Sequence, residues 1–284
     1  QGFEKEVCLA IREHYLPHGT DSRIPKKPYS IALSFSDKID SLVGFFAINL
    51  KPTSSRDPYA LRRLAIGLIK MILENKIKLK LGDLINYSCQ LYINQGVNFD
   101  IKNIQKDIRD FFHDRFKNYM KDNGVRQDII EAATTSYNLD NILKICKKAI
   151  ILNKIISKEI GVDLMFSYKR AFNILNSEIK NKDFEISENP DPGLFKNDFE
   201  KNLYKKIHNI RKEFTNVSKE DSHEDLLSNL ASTKKEVIDF FDNVIVNDND
   251  ETVKKNRLEL LKMLCKTFDN YFNFSKIENI AWKN

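Results

Sequence analysis

His113-Asp114 is the pair in this sequence that most suggests bond-breaking chemistry. A histidine beside an aspartate helps hold the divalent ion of an HD-type phosphohydrolase, where metal-bound water attacks a phosphate. That mechanism also needs an upstream histidine and a distant aspartate around the same ion. The segment Phe111-Phe112-His113-Asp114-Arg115-Phe116 instead reads as an amphipathic helix with Phe112 and Phe116 inward. The five histidines (His14, His18, His113, His208, His223) have no metal-ligand spacing, and no GxGxxG, Walker A, GxSxG or HExxH pattern occurs. Asp37 and Asp40 stand one turn apart and suit either a cation or salt bridges to nearby bases. No catalytic residue and no metal ligand is assigned.

Binding chemistry is better represented. Arg62 and Arg63 open an expected helix after a loop carrying Lys51 and Arg56. Adjacent arginines at a helix N-terminus suit a phosphate; the alternative is that Asp57 or Asp40 holds one of them inside the fold. Lys254-Lys255-Asn256-Arg257 begins the last long helix. Asparagine and arginine read base edges and lysines hold phosphates. A solvated helix start explains the lysines equally well, and Arg257 could pair with Asp242.

The elements that would position these residues are helices. Phe199, Leu203, Ile207, Ile210, Phe214 and Val217 form one apolar stripe at three- and four-residue steps. Leu226, Leu227, Leu230, Val237, Ile238, Phe241 and Val244 form a second, and Leu258, Leu261, Leu264, Cys265 and Phe268 a third. Ile142, Ile145, Ala149, Leu152 and Ile156 form a fourth. Stripes of this width bury one face against other helices, so the expected class is all-α with bundle packing. Residues 31–35 alternate weakly, yet helical spacing continues through Leu42, and helix is expected there. Loops are expected at Pro17–Pro28, Leu50–Pro58 and Asn94–Phe99, and Asn181–Leu194 is the best linker. Asp57 is placed to cap a helix that Pro58 opens.

Composition sets the frame. The chain has 284 residues, 42% hydrophobic and 30% charged, as in a soluble globular protein. No apolar run approaches the roughly 20 residues that span a bilayer, and the charged start is no signal peptide. A chain opening on Gln1 is expected to be a piece of a longer one. Cys8, Cys89, Cys146 and Cys265 never form a CxxC pair and read as buried, reduced thiols of a cytosolic protein. Residues 1–80 carry 14 Lys/Arg against 8 Asp/Glu, which accounts for the whole net charge of +6. A local basic excess suits RNA phosphates, and a lysine-rich solvated surface produces the same count.

Five segments in order resemble the bacterial glycyl-tRNA synthetase beta subunit. Glu13-His14-Tyr15-Leu16-Pro17 is similar to that family's EHYLP, and Ser36 through Phe46 resembles its ADKLDTLxGxF. Pro52 through Arg63 resembles PTGSKDPFALRR, the most specific of the set. Lys169 through Leu175 is similar to KRVxNIL, and Phe240 through Val246 with Asn256 through Leu261 resembles FFDxVMV…NRLxLL. Ser54 replaces a glycine of the pattern, Ser36 an alanine, and Asn273-Phe274-Ser275 the usual ADFS ending.

The resemblance implies a non-catalytic, tRNA-binding piece of a class II glycine–tRNA ligase. Residues 1–85 would be the C-terminal part of an HD-like domain with Asp37 at its terminal aspartate position. Residues 86–164 would be a helical connector, and 165–284 a helical anticodon-binding domain. Lys169, Arg170, Lys255, Asn256 and Arg257 would contact the anticodon, while Lys51, Arg56, Arg62 and Arg63 would meet tRNA phosphates or the alpha subunit. The implied partners are tRNA-Gly and the alpha subunit, which would use ATP and magnesium. No cofactor is expected in this piece, no membrane is involved, and the location is cytoplasmic. The rivals are a metal-dependent HD-type phosphohydrolase and a helical scaffold that binds only protein.

Overall fold

Pro28 and the apolar run after it start the helix around which the first half of the chain is built. The computed structural model describes residues 2–19, 22–135, 138–181, 186–216 and 223–278. The described residues contain helices and no strand, so the chain is all-α as expected. They divide into two compact units: residues 1–124 with 136–147, and residues 125–135 with 148–284.

The first unit contains α1 (Lys5–Glu13), α2 (Pro28–Ala47), α3 (Leu61–Glu74), α4 (Leu81–Asn94) and α5 (Ile101–Asp122). Helix α2 packs on the other four, with Leu42, Val43 and Phe46 buried beneath it. The weakly alternating stretch 31–35 lies within this helix. In α5, Ile104, Ile108, Phe112, Phe116 and Met120 recur every fourth residue, and all are buried. Asp100 caps that helix by accepting from the backbone of Lys102 and Asn103. Helix α3 starts later than expected. Ala60 adopts a left-handed conformation, and Pro58 stays in the preceding turn. Asp57 nevertheless caps α3, accepting from Leu61 N at 2.8 Å and Arg62 N at 3.0 Å. Cys8 is exposed on α1, against expectation, because that helix buries only Ala10; the other three cysteines are buried.

The second unit contains α6 (Gln127–Thr134) and the latter part of α7 (Ile142–Ile155). It continues with α8 (Glu159–Asn181), α9 (Asp198–Asn216), α10 (His223–Ala231), α11 (Lys234–Asn243) and α12 (Glu251–Asp269). Helix α12 packs on α8 and α9 and is buried along nearly its whole length. Tyr168, Phe268 and Phe274 meet with ring centroids 5.4–5.8 Å apart and close the core beside it. The corner between α7 and α8 requires glycine, since a Cβ on Gly161 would sit 2.1 Å from the Ile156 carbonyl oxygen. In the α9 stripe Leu203, Ile207 and Ile210 are buried, while Phe199 is exposed at its start. Val217 lies outside the described residues, as does part of the expected linker, 182–185.

One charged group sits inside the first unit. Lys38 is 1% exposed, and its ammonium donates to the His14 carbonyl at 2.9 Å and to Ser34 Oγ at 2.8 Å. Ser34 Oγ in turn donates to the Leu16 carbonyl at 2.7 Å, so α2 holds the Glu13–Pro17 segment from beneath. Burial pushes the Lys38 ammonium down to about 8, against the opposing pull of Asp37. Above that pH the unfolded chain keeps a proton that the folded chain has lost, so stability rises with pH toward the ordinary value of 10.5. In denaturant titrations at pH 7.5, 9 and 10, the first unit should gain on a Lys38→Met variant as pH rises. Parallel pH dependences in the two proteins would contradict this ionisation.

Candidate nucleic-acid interface

Helix α8 turns Leu164, Tyr168, Ala171 and Leu175 into the core, which leaves Phe166, Lys169, Arg170 and Asn173 on its other side. Helix α11 buries Val237 and Phe240 and keeps Lys234, Ile238, Phe241 and Asp242 clear of full burial. The two helices pack together. The Arg170 guanidinium lies 4.7 Å from the Phe241 ring centroid and 5.8 Å from that of Phe166. Its side chain is 36% exposed, and its nearest carboxylate, Asp242, is 3.5 Å away and more exposed still. The Lys234 ammonium also lies 5.9 Å from the Phe166 ring centroid and pairs with Asp163 at 2.7 Å. A shallow hollow of about 360 Å³ follows, lined in part by Ser232, Lys234 and Lys235.

This arrangement joins a planar cation to two aromatic rings, with further lysines around it. An unpaired base can stack on a composition of this kind, and ammonium groups beside it can meet phosphates. The apolar stripe had placed Phe241 in the core, but Phe240 takes that position and Phe241 is half-exposed. Phe166 and Lys234 are not singled out by sequence, because Phe166 belongs to none of the apolar stripes and Lys234-Lys235 is only a short basic pair.

The start of α12 has a different character. Asn256 is 3% exposed, and its carboxamide exchanges two hydrogen bonds with the backbone of Asp191, at 2.7 and 3.0 Å. Arg257 is 5% exposed. Its Nε donates to Glu200 at 2.5 Å, and its Nη1 donates to Asp248 at 2.6 Å and to the Ile245 carbonyl at 2.9 Å. These polar groups are committed inside the protein, so neither residue offers an edge to a base in this arrangement. The expected Asp242 partner of Arg257 pairs instead with Arg170. Lys254 pairs with Glu178 at 2.8 Å, and Lys255 is half-buried on the same turn.

In the first unit the expected phosphate site at the start of α3 is already filled by an anion, the Asp57 carboxylate on the N–H groups of Leu61 and Arg62. Lys51 pairs with Asp107 of α5, and Arg62 donates to the Thr53 carbonyl. Arg56 and Arg63 are exposed. Asp37 and Asp40 line an apolar cleft of about 890 Å³ between α2 and α4. Among the described residues no group of three His, Cys, Asp or Glu could hold a metal ion. No described helix is long and apolar enough to cross a membrane.

The family described as glycyl-tRNA synthetase beta subunit matches residues 1–135. The family described as DALR anticodon binding domain matches residues 164–280, which include most of α8 and all of α11 and α12. The glycine–tRNA ligase beta subunit of Clostridioides difficile (strain 630) is 34% identical over 276 residues, 97% of this chain. That of Rickettsia peacockii (strain Rustic) is 35% identical over 277 residues, 98% of this chain. The chain belongs to the glycyl-tRNA synthetase beta subunit family. It spans 39% of the length of each of these beta subunits.

Within this beta-subunit chain, the burial of Arg257 has a direct energetic consequence. Truncating it leaves Glu200, 1% exposed, without its counter-charge. Breaking one side of a buried ion pair costs about 3–5 kcal/mol. Arg257→Ala should therefore lower the stability of the second unit by that amount in urea unfolding, while Lys205→Ala, at an exposed position of α9, stays within about 0.5 kcal/mol of the parent. Equal, small effects from both substitutions would contradict the internal role of Arg257.

Proposed function

We propose that this chain binds tRNA-Gly for a glycine–tRNA ligase and reads the anticodon loop on the α8/α11 face. The observation that carries the reading is the Arg170 guanidinium set against Phe241 and Phe166 inside the segment matched as an anticodon-binding domain. An anticodon base, unstacked from its neighbours, would lie on this platform. Lys169 and Lys235, with Lys255 at the start of α12, would meet phosphates. Asn256 and Arg257 serve the same surface indirectly by fixing the loops around it.

In the first unit Arg56 and Arg63 supply the basic contacts, to the body of the tRNA or to the alpha subunit. The chemical step, glycylation of tRNA at the expense of ATP with magnesium, would belong to that alpha subunit in the cytoplasm. This chain contributes grip and discrimination rather than bond making.

The test is binding of the chain to tRNA-Gly transcript and to a transcript with the anticodon changed, across a salt series. Loss of a base-stacking side chain costs about 1–3 kcal/mol. Arg170→Ala should therefore weaken native tRNA about tenfold and shrink the difference between the two transcripts. Lys235→Ala should weaken both transcripts equally and flatten the salt dependence by about one phosphate contact. If Arg170→Ala keeps the parent's ratio between the transcripts, the anticodon is not read on this face.

A further inference from the structure

Ile245 is the most exposed large apolar side chain among the described residues, at 78%. Its neighbours Val244 and Val246 are buried, so the backbone around it is fixed from both sides. Arg257 adds a third restraint through its bond to the Ile245 carbonyl and its pair with Asp248. The guanidinium is itself locked by Glu200, whose other oxygen accepts from the backbone of Lys196 and Asn197. A loop held at so many points cannot fold Ile245 back under the surface. The chain therefore keeps an apolar side chain in water at a defined place, four residues beyond Phe241.

We propose that Ile245 is a further RNA-contacting residue, packing against an unpaired base beside the Arg170–Phe241 platform, and that Arg257 is the residue that positions it. This rests on the reading of the α8/α11 face as an RNA surface. Of the nearby carboxylates, Asp242 pairs with Arg170, Asp248 with Arg257, and Asp250 caps α12 through the N–H groups of Thr252 and Val253. Each is held toward a donor of the protein. An aliphatic contact also suits an unpaired base, because it costs nothing to desolvate and covers apolar surface of the base.

The experiment measures dissociation constants of the chain for native and anticodon-changed tRNA-Gly transcripts at one salt concentration. Ile245→Ala should weaken native tRNA about fivefold, the effect of removing part of an aliphatic side chain from a buried contact. Binding of the changed transcript should alter less. Asp248→Asn loosens the loop without stranding a buried charge and should give part of the same loss. Combined with Ile245→Ala it should add nothing, since both act through one contact. Parent-like affinity of Ile245→Ala, with Arg170→Ala still impaired, would overturn the role of Ile245 and leave the RNA face standing. Parent-like affinity of both variants would remove the RNA face itself, and the Ile245 contact with it. Additive losses in the double variant would overturn the positioning role of Arg257.

Discussion

The Arg257 guanidinium is the point on which the anticodon-domain half of the molecule depends. It joins α12 to α9 through Glu200 and to the segment after α11 through Asp248 and the Ile245 carbonyl. A buried ion pair recovers little net energy once both charges are stripped of water. Its value is geometric, because three segments distant in sequence must adopt one arrangement for all of its donors to be satisfied. Asn256 repeats the principle one residue earlier with neutral groups, fixing the Asp191 backbone from both sides. The two residues turn the start of α12 into a frame, and the loops it holds border the helices that carry Arg170 and Phe241.

The first unit uses the same device with a lysine. Lys38 bonds a backbone carbonyl and a hydroxyl rather than a carboxylate, and burial outweighs the pull of Asp37, so its proton is weakly held. It secures the Glu13–Pro17 segment against α2. Both buried cations lie in segments that resemble the beta-subunit family pattern. In each case the buried cation of the signature segment has a scaffolding task.

Much of the architecture was legible in the sequence because apolar spacing reports helix faces directly. The α5 stripe and its inward Phe112 and Phe116 follow from periodicity alone, as does the capping role of Asp57. Adjacent phenylalanines defeated the same logic. Nothing in a stripe decides whether Phe240 or Phe241 faces inward when both fit within one turn's uncertainty. The site residues were harder for a stronger reason. Arg257 and Glu200 are separated by 57 positions, and composition cannot show that one will neutralise the other. A basic residue beside an asparagine reads as RNA recognition until its partner is seen. The platform was only half legible: Arg170 stood in a recognisable segment, whereas Phe166 and Phe241 gain their meaning from the packing of α8 against α11.

Lysine-modification footprinting of the chain, free and bound to tRNA-Gly, tests most directly where RNA lies. The account predicts protection of Lys169 and Lys235 on the α8/α11 face, with Lys201 and Lys205, exposed on α9, unchanged. Protection of the α9 lysines with full reactivity at Lys169 and Lys235 would place the RNA elsewhere and contradict it.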